Sequence, residues 1–271
     1  MNLAYLAPRV VRHFMPEKLA DWMKKRKVII KAGIETIDPQ AAAQRYLQYF
    51  KQENISIKNK VILIFGYGGN ISTACEMLKA GAKRVILCER KGLPYPIPDA
   101  SYQKKYPAYF QMDAQGVHFN ENVLAIFHED IRLLAHSSQL EQVDLVISSS
   151  VFEHLDDVDG ITKALSALTK KGGEHFHFVD LRDHFFKYPF EMLTFSEQTW
   201  VNWLNPTSNL NRFRIHHYRN VFEKYFSSVT IRIVESNDIA FSKTKPSIKK
   251  DFLSGDDRSD AATIITIKTM A

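Results

Sequence analysis

The stretch Lys60-Val-Ile-Leu-Ile-Phe-Gly-Tyr-Gly-Gly-Asn70 constrains this chain more than any other, together with its answer, Arg84-Val-Ile-Leu-Cys-Glu89. A short apolar run bounded by a glycine-rich turn reads as a buried strand, and the residues after the turn read as a helix. A second apolar strand then ends on an acid, about twenty residues further on, which is the spacing an α/β protein uses to hold an adenosine-containing ligand. Glycines let the backbone approach the ligand, and the acid accepts from two ribose hydroxyls.

The pattern continues as alternating strand and helix from about residue 58, which predicts a mostly parallel sheet with helices on both faces. Strands are expected at 60–65, 84–89, 123–128, 143–148 and 174–180. A helix is expected from Ile71 to Ala80, stopped by Gly81, and a short helix within 100–116. Lys170-Lys-Gly-Gly173 reads as a turn. Three prolines within 92–98 exclude regular structure there. Residues 1–57 read as an N-terminal helical cap, with Leu19, Trp22 and Met23 at helical spacing and Asp38-Pro39 as the start of a second helix. Residues 58–271 read as the main domain. Within it, the aromatic- and histidine-rich segment 182–226 is expected to be a helical insertion after the fifth strand, and 227–271 a closing strand pair that gives the sheet an antiparallel edge.

Composition narrows the class. The 271 residues suffice for one α/β domain with additions, and no apolar run reaches the length of a membrane span, about 18 residues. The start has no signal-peptide shape, and two cysteines, Cys75 and Cys88, lack metal or redox spacing, so a cytoplasmic protein is expected. Of the net charge of +6, a surplus of five lies in residues 1–57, densest at Lys24-Lys-Arg-Lys27. That cluster reads either as a solvated helix face or as a contact for an anionic surface; no aromatics interleave it as a nucleic-acid groove requires.

With these features in order, the chain resembles the class I S-adenosylmethionine-dependent methyltransferases over about residues 58–181. The loop Gly66-Tyr67-Gly68 and Glu89 match the family's glycine-rich turn and ribose-binding acid. Asp130-Ile131 matches the position after the third predicted strand that meets the adenine, and Asp144 to Leu155 resembles the fourth-strand motif. The resemblance implies a Rossmann-like fold, S-adenosyl-L-methionine as cofactor, and Gly66, Tyr67, Gly68, Glu89, Asp130, Ile131 and Ser148 around it. Two positions depart from the pattern: Ile64 stands where many members carry an acid, and Asn70 where many carry a third glycine. A nicotinamide-type loop would instead want glycine at position 71, which is Ile71. From the residues alone, Glu89 also fits a surface carboxylate at a strand end, and Asp130 a helix cap. Arg45-Tyr46, Asp180-Leu-Arg-Asp-His184 and Asn211-Arg-Phe-Arg214 further resemble a bacterial subgroup found with glycan- and polysaccharide-assembly enzymes.

Methyl transfer is an in-line displacement, so the chain must align the acceptor and, for a hydroxyl, remove its proton. His154 is a candidate base or a structural histidine, and Asp183 with His184 a candidate acid-oriented base or an anchor for the insertion. Arg182, Arg212 and Arg214 are candidates to bind an anionic substrate, or bridges to the core. His175 and His177 share one face of a strand but lack a third ligand, so no metal is expected. The expected function is methyl transfer to a small or medium acceptor, a sugar-type or other metabolite, at oxygen. A catalytically silent cofactor-binding module and an RNA or tRNA methyltransferase are the alternatives. No base-flipping motif of Asn-Pro-Pro-Tyr type follows the fourth strand, which disfavours nucleic acid as the partner.

Overall fold

The computed structural model describes residues 3–16, 19, 38–90, 98, 100–114, 116–137, 139–185 and 187–271. Of the expected helix at Leu19, Trp22 and Met23 only Leu19 is among them; the basic cluster 24–27 and the proline-rich loop, apart from Pro98, lie outside them.

A seven-stranded sheet organises the chain, in the order β5-β2-β1-β6-β7-β9-β8. Its strands are β1 (Val61–Phe65), β2 (Arg84–Glu89), β5 (Leu124–His128), β6 (Val143–Ser149), β7 (Thr169–Asp180), β8 (Ser228–Ser236) and β9 (Ala262–Met270). The first four run parallel, with Leu63 beside Ile86 and Val146, and Leu87 beside Ile126. Every residue of β1 is buried, as expected for a parallel strand covered on both faces. β9 runs antiparallel to β7: the Gly172 N–H donates to the Ala271 carbonyl at one end, and the Leu181 N–H to the Thr263 carbonyl at the other. The expected Rossmann-like sheet, mostly parallel with an antiparallel element at its edge, is the fold observed.

Several elements differ from the sequence reading. Residues 100–116 hold more than a short helix. After Ala100–Lys105 the chain forms a two-stranded hairpin, β3 (Phe110–Asp113) with β4 (Gly116–Phe119), in which Phe110 faces Phe119. Lys170 to Gly173 is a bend inside β7 rather than a turn before it, with Gly172 at φ 75°. Segment 182–226 is only partly helical. Short helical turns cover Glu191–Thr194, Glu197–Thr199 and Trp200–Leu204, and one regular helix covers Ile215–Phe222. A helix also forms at Asp238–Thr244, between β8 and β9, where the Asn237 side chain accepts from the Ala240 N–H.

The chain divides into two compact units. One takes in the described residues of 38–149, 160–176 and 270–271, and so carries β1 to β6. Within it, the helix Pro39–Gln52 starts where the Asp38 carboxylate accepts from the Ala41 N–H, as the Asp-Pro pair predicts. Its buried Tyr46 and Phe50 pack together, and Phe50 meets Phe176 edge-on at 5.7 Å. The other unit takes in the described residues of 150–159 and 177–269 with residues 3–16 and 19. Its core joins Phe190, Met192, Leu193, Trp200, Leu204, Leu210 and Phe241, with Leu6 and Val10 of the first helix, Leu3–His13, packed against it.

His177 is fully buried on β7, its ring 4.6 Å from Phe152 and 5.7 Å from Phe222. Burial alone drives its pKa down from 6.5 to about 3. The unfolded chain therefore takes up a proton that the folded one refuses, so this stability is complete above about pH 6.5 and is lost as pH falls toward 3. His177→Gln should flatten the fall in urea-unfolding stability between those pH values; an unchanged profile would contradict the assignment. A Cβ on Gly173 would lie 2.6 Å from Thr169 Cγ2 and 2.9 Å from the Lys170 carbonyl oxygen. Gly173→Ala should cost about 1–3 kcal/mol in the same assay.

Candidate functional site

The first site forms where β1 and β2 end, in the unit that carries them. Gly66, Gly68 and Gly69 all sit at positive φ, at 74°, 66° and 79°, so the turn after β1 is a backbone that side-chain-bearing residues rarely adopt. Asn70 does not share that conformation. Its side chain instead accepts from the Ser72 N–H at the start of the helix Ser72–Lys79, while Gly69 supplies the third left-handed position. The Gly66 N–H donates to the Cys88 carbonyl, tying the turn to β2. Glu89, the last residue of β2, reaches back across the turn: its Oε2 accepts from the Gly68 N–H at 3.2 Å and its Oε1 from the Arg90 N–H at 3.1 Å.

Beside this turn lies a cavity lined by Tyr46, Ile64, Gly66, Tyr67, Thr73 and Ser149. The Thr73 hydroxyl is buried there without a hydrogen-bond partner among the described residues. Ser149 ends β6, and its Oγ accepts from Arg45 Nη2 at 2.7 Å. Tyr67 is buried, with its ring stacked on His128 and its hydroxyl 2.6 Å from His128 Nε2. Asp130 caps the helix Ile131–His136: it accepts from the Arg132 N–H at 2.9 Å and pairs with the Arg132 guanidinium at 2.6 Å. That hydrogen bonding holds its carboxyl below the usual range. Ile131 and Ser148 are buried. Sequence reasoning missed Thr73; its signal was a hydroxyl in the first turn of the helix that the glycine turn opens.

The second cluster belongs to the other unit and follows β6 and β7. Ser150 leaves β6 at φ 53°, an uncommon conformation for a serine, with its N–H on the Phe178 carbonyl. Glu153 and His154 occupy the helical turn Phe152–His154. His184 faces His154 with ring centroids 4.9 Å apart, and burial lowers its pKa to about 4. One ligating atom each from Glu153, His154 and His184 falls within 4.8 Å of the others.

Asp183 takes a different place from the one expected. Its fully buried carboxylate accepts from the Tyr5 hydroxyl and the Phe185 N–H, and pairs with Arg9 at 3.3 Å. Among the described residues no bond joins it to His184, so it anchors the first helix instead of orienting a base. Burial raises its pKa while Arg9 opposes the rise. Two of the three arginines expected to meet substrate are also committed elsewhere. Arg214 is 1% exposed and donates to the carbonyls of Leu181, Asp260 and Ala262; burial lowers its pKa to about 10. Arg212 donates to the carbonyls of Met192 and Phe195, pairs with Glu197, and lies over the Trp200 and Phe252 rings. A buried guanidinium needs such partners, which explains why these two face inward. Arg182 pairs with Asp180 at 2.7 Å and keeps part of its surface; the two line a cavity with Glu153, Met192 and Asn211.

His175 and His177 also serve the interior. Thr169 Oγ1 donates to the Leu165 carbonyl and so accepts from His175 Nε2 at 2.7 Å. Cys75 and Cys88 are buried thiols pushed up to about 12 by burial, and so are inert as nucleophiles. Among the described residues no helix is long and apolar enough to cross a membrane.

No protein-family model matches the chain, and no curated protein sequence does. Solved structures do. A SAM-dependent methyltransferase from Archaeoglobus fulgidus superposes with a TM-score of 0.50 at 12% identity, over 93% of this chain and 99% of the other. Phosphoethanolamine N-methyltransferase 2 from Haemonchus contortus, solved in complex with S-adenosyl-L-methionine, gives 0.52 at 12% identity, over 84% of this chain and 52% of its own length. At these identities the likeness is one of fold: the chain has the Rossmann-like architecture seen in class I methyltransferases.

Proposed function

We propose that this protein is an S-adenosylmethionine-dependent methyltransferase acting on a hydroxyl of a small or medium metabolite, of sugar type. The observation that carries the reading is the contact between Glu89 and Gly68, which sets an acid at the edge of a left-handed glycine turn. Such a pair suits a ligand with an adenosyl group: the turn admits close backbone approach, and the acid accepts from vicinal hydroxyls. The donor set of the cavity also fits the cofactor. Thr73 offers a buried hydroxyl that no described residue uses, and Arg45, beside Ser149, offers a cation for a carboxylate. S-adenosylmethionine has no phosphate and needs no wider cationic cradle. The fold shared with the Archaeoglobus methyltransferase, and with a Haemonchus enzyme holding this cofactor, supports the same reading.

When bound, the cofactor supplies an electrophilic methyl on a positively charged sulfur. Everything else falls to the chain. Gly66 to Gly69 and Glu89 fix the adenosyl end, with Tyr67, Asp130 and Ile131 on the adenine side and Ser148 and Ser149 at the end of β6. The residues after β6 and β7, namely Glu153, His154, Arg182 and His184, provide the acceptor chemistry. A hydroxyl acceptor must give up its proton, and a side chain or water beside it must take that proton. The sugar-type acceptor rests on the resemblance of Arg45-Tyr46, Asp180 to His184 and Asn211 to Arg214 to the glycan-associated subgroup.

One observation favours a second reading, a catalytically silent binding module. Ile64, buried in β1, lines the cavity where the resemblance calls for an acid. Calorimetry separates the two: tight binding of neither S-adenosylmethionine nor its demethylated product would favour the silent module.

Glu89→Ala should weaken S-adenosylmethionine binding more than tenfold in calorimetry, while the melting temperature stays within a few degrees of the parent. Unchanged affinity would place the ribose site elsewhere.

A further inference from the structure

We propose that Glu153, His154 and His184 bind one divalent metal ion of the Zn2+ class, with a coordination position left open for the acceptor's oxygen. Two imidazole nitrogens and one carboxylate oxygen are the three-ligand set that such an ion accepts at sites with an exchangeable fourth position. The three donors already fall within 4.8 Å of one another, and Glu153 is 3% exposed. Its single negative charge offsets half the charge of a dication.

The tautomer of His154 is fixed for this task. Its Nδ1 lies 2.7 Å from the Asn209 carbonyl oxygen and 3.0 Å from that of Ser208. A carbonyl oxygen only accepts, so Nδ1 carries a proton, and in the neutral ring the lone pair then sits on Nε2. Backbone carbonyls holding the far nitrogen of an imidazole are the usual outer support of a metal-ligating histidine.

The backbone around the two adjacent donors is fixed as well. The carbonyls of four successive residues, Phe152, Glu153, His154 and Leu155, all accept from one loop. Asn211 Nδ2 donates to Phe152 and Leu155 at 2.7 and 3.1 Å, the Asn211 N–H to Glu153 at 2.9 Å, and Asn209 Nδ2 to His154 at 3.1 Å. Asn209 reaches its place at φ 53°, where Asn205 holds its side-chain oxygen at 2.6 Å. This scaffold aims two neighbouring side chains together, as a pre-organised ligand set requires. A proton bonds one donor at a time, whereas a dication takes all three together.

The role of the ion deepens the methyl-transfer reading and rests on it: a coordinated hydroxyl is a stronger acid, which eases loss of its proton to water. The site itself stands without that reading, and the test keeps them apart.

The full-length protein, stripped with chelator, is titrated with Co2+ and then Zn2+. One equivalent of Co2+ should give visible absorption that Zn2+ abolishes, and Glu153→Gln and His184→Gln should each weaken binding at least tenfold with unchanged circular dichroism. His118→Gln, at the exposed His118–Asp113 pair, should leave the titration as it is. X-ray absorption on the Zn2+-loaded parent protein needs no variant and should show two imidazole nitrogens. Absence of a Co2+ band, a band insensitive to both variants, or a shell without imidazole overturns the site. Calorimetry with the demethylated cofactor product, run without metal, reports on the methyl-transfer reading separately.

Discussion

The turn after β1 depends on a backbone constraint that glycine meets at little steric cost. Three positive-φ residues within four positions, Gly66, Gly68 and Gly69, turn the chain at the end of a fully buried strand. The same turn exposes the Gly68 amide, and Glu89 from the neighbouring strand closes on it. The parallel pairing of Val61 through Phe65 with Arg84 through Cys88 puts those two features side by side, since equal register brings both strand ends to the same edge. The sheet thus serves the site directly: its register decides where the carboxylate meets the turn.

The second unit is built on a different economy, that of buried cations. Arg9, Arg212 and Arg214 are each nearly inaccessible, and each is matched by a carboxylate, a set of carbonyls or an aromatic face. Removing a partner from such a group costs more than the pair itself contributes, because an uncompensated charge then stays buried. Asp183 shows the consequence. Its partners are Tyr5 and Arg9 of the first helix, so an acid that a linear motif sets beside a histidine holds two distant parts of the chain together instead.

What could be read in the sequence follows from this division. Local signals were sufficient for β1, β2, β5 and β6, because an apolar run between turn residues has few other outcomes. They were sufficient for the Asp38 cap and for Glu89 as the end of β2. They failed at the β3–β4 hairpin, whose strands have four residues each and only Phe110 fully buried. They also failed at Gly172-Gly173, where a bend stays inside β7 because β9 continues to pair across it. Arginine defeats sequence reading for a physical reason: the same guanidinium binds an external anion or three internal carbonyls, and only tertiary placement decides. Thr73 and the Asn205–Asn209–Asn211 clamp were invisible because their importance lies in what the fold sets opposite them.

The central claim is that the glycine turn and Glu89 together grip an adenosyl group. A crystal structure of the protein grown with the demethylated product of S-adenosylmethionine tests it most directly. The account predicts density for the nucleoside against residues 66–69, with the Glu89 carboxylate turned from the Gly68 amide onto the ribose hydroxyls. A saturated crystal with that edge empty and Glu89 still on Gly68, or with the nucleoside bound at another edge of the sheet, would contradict it.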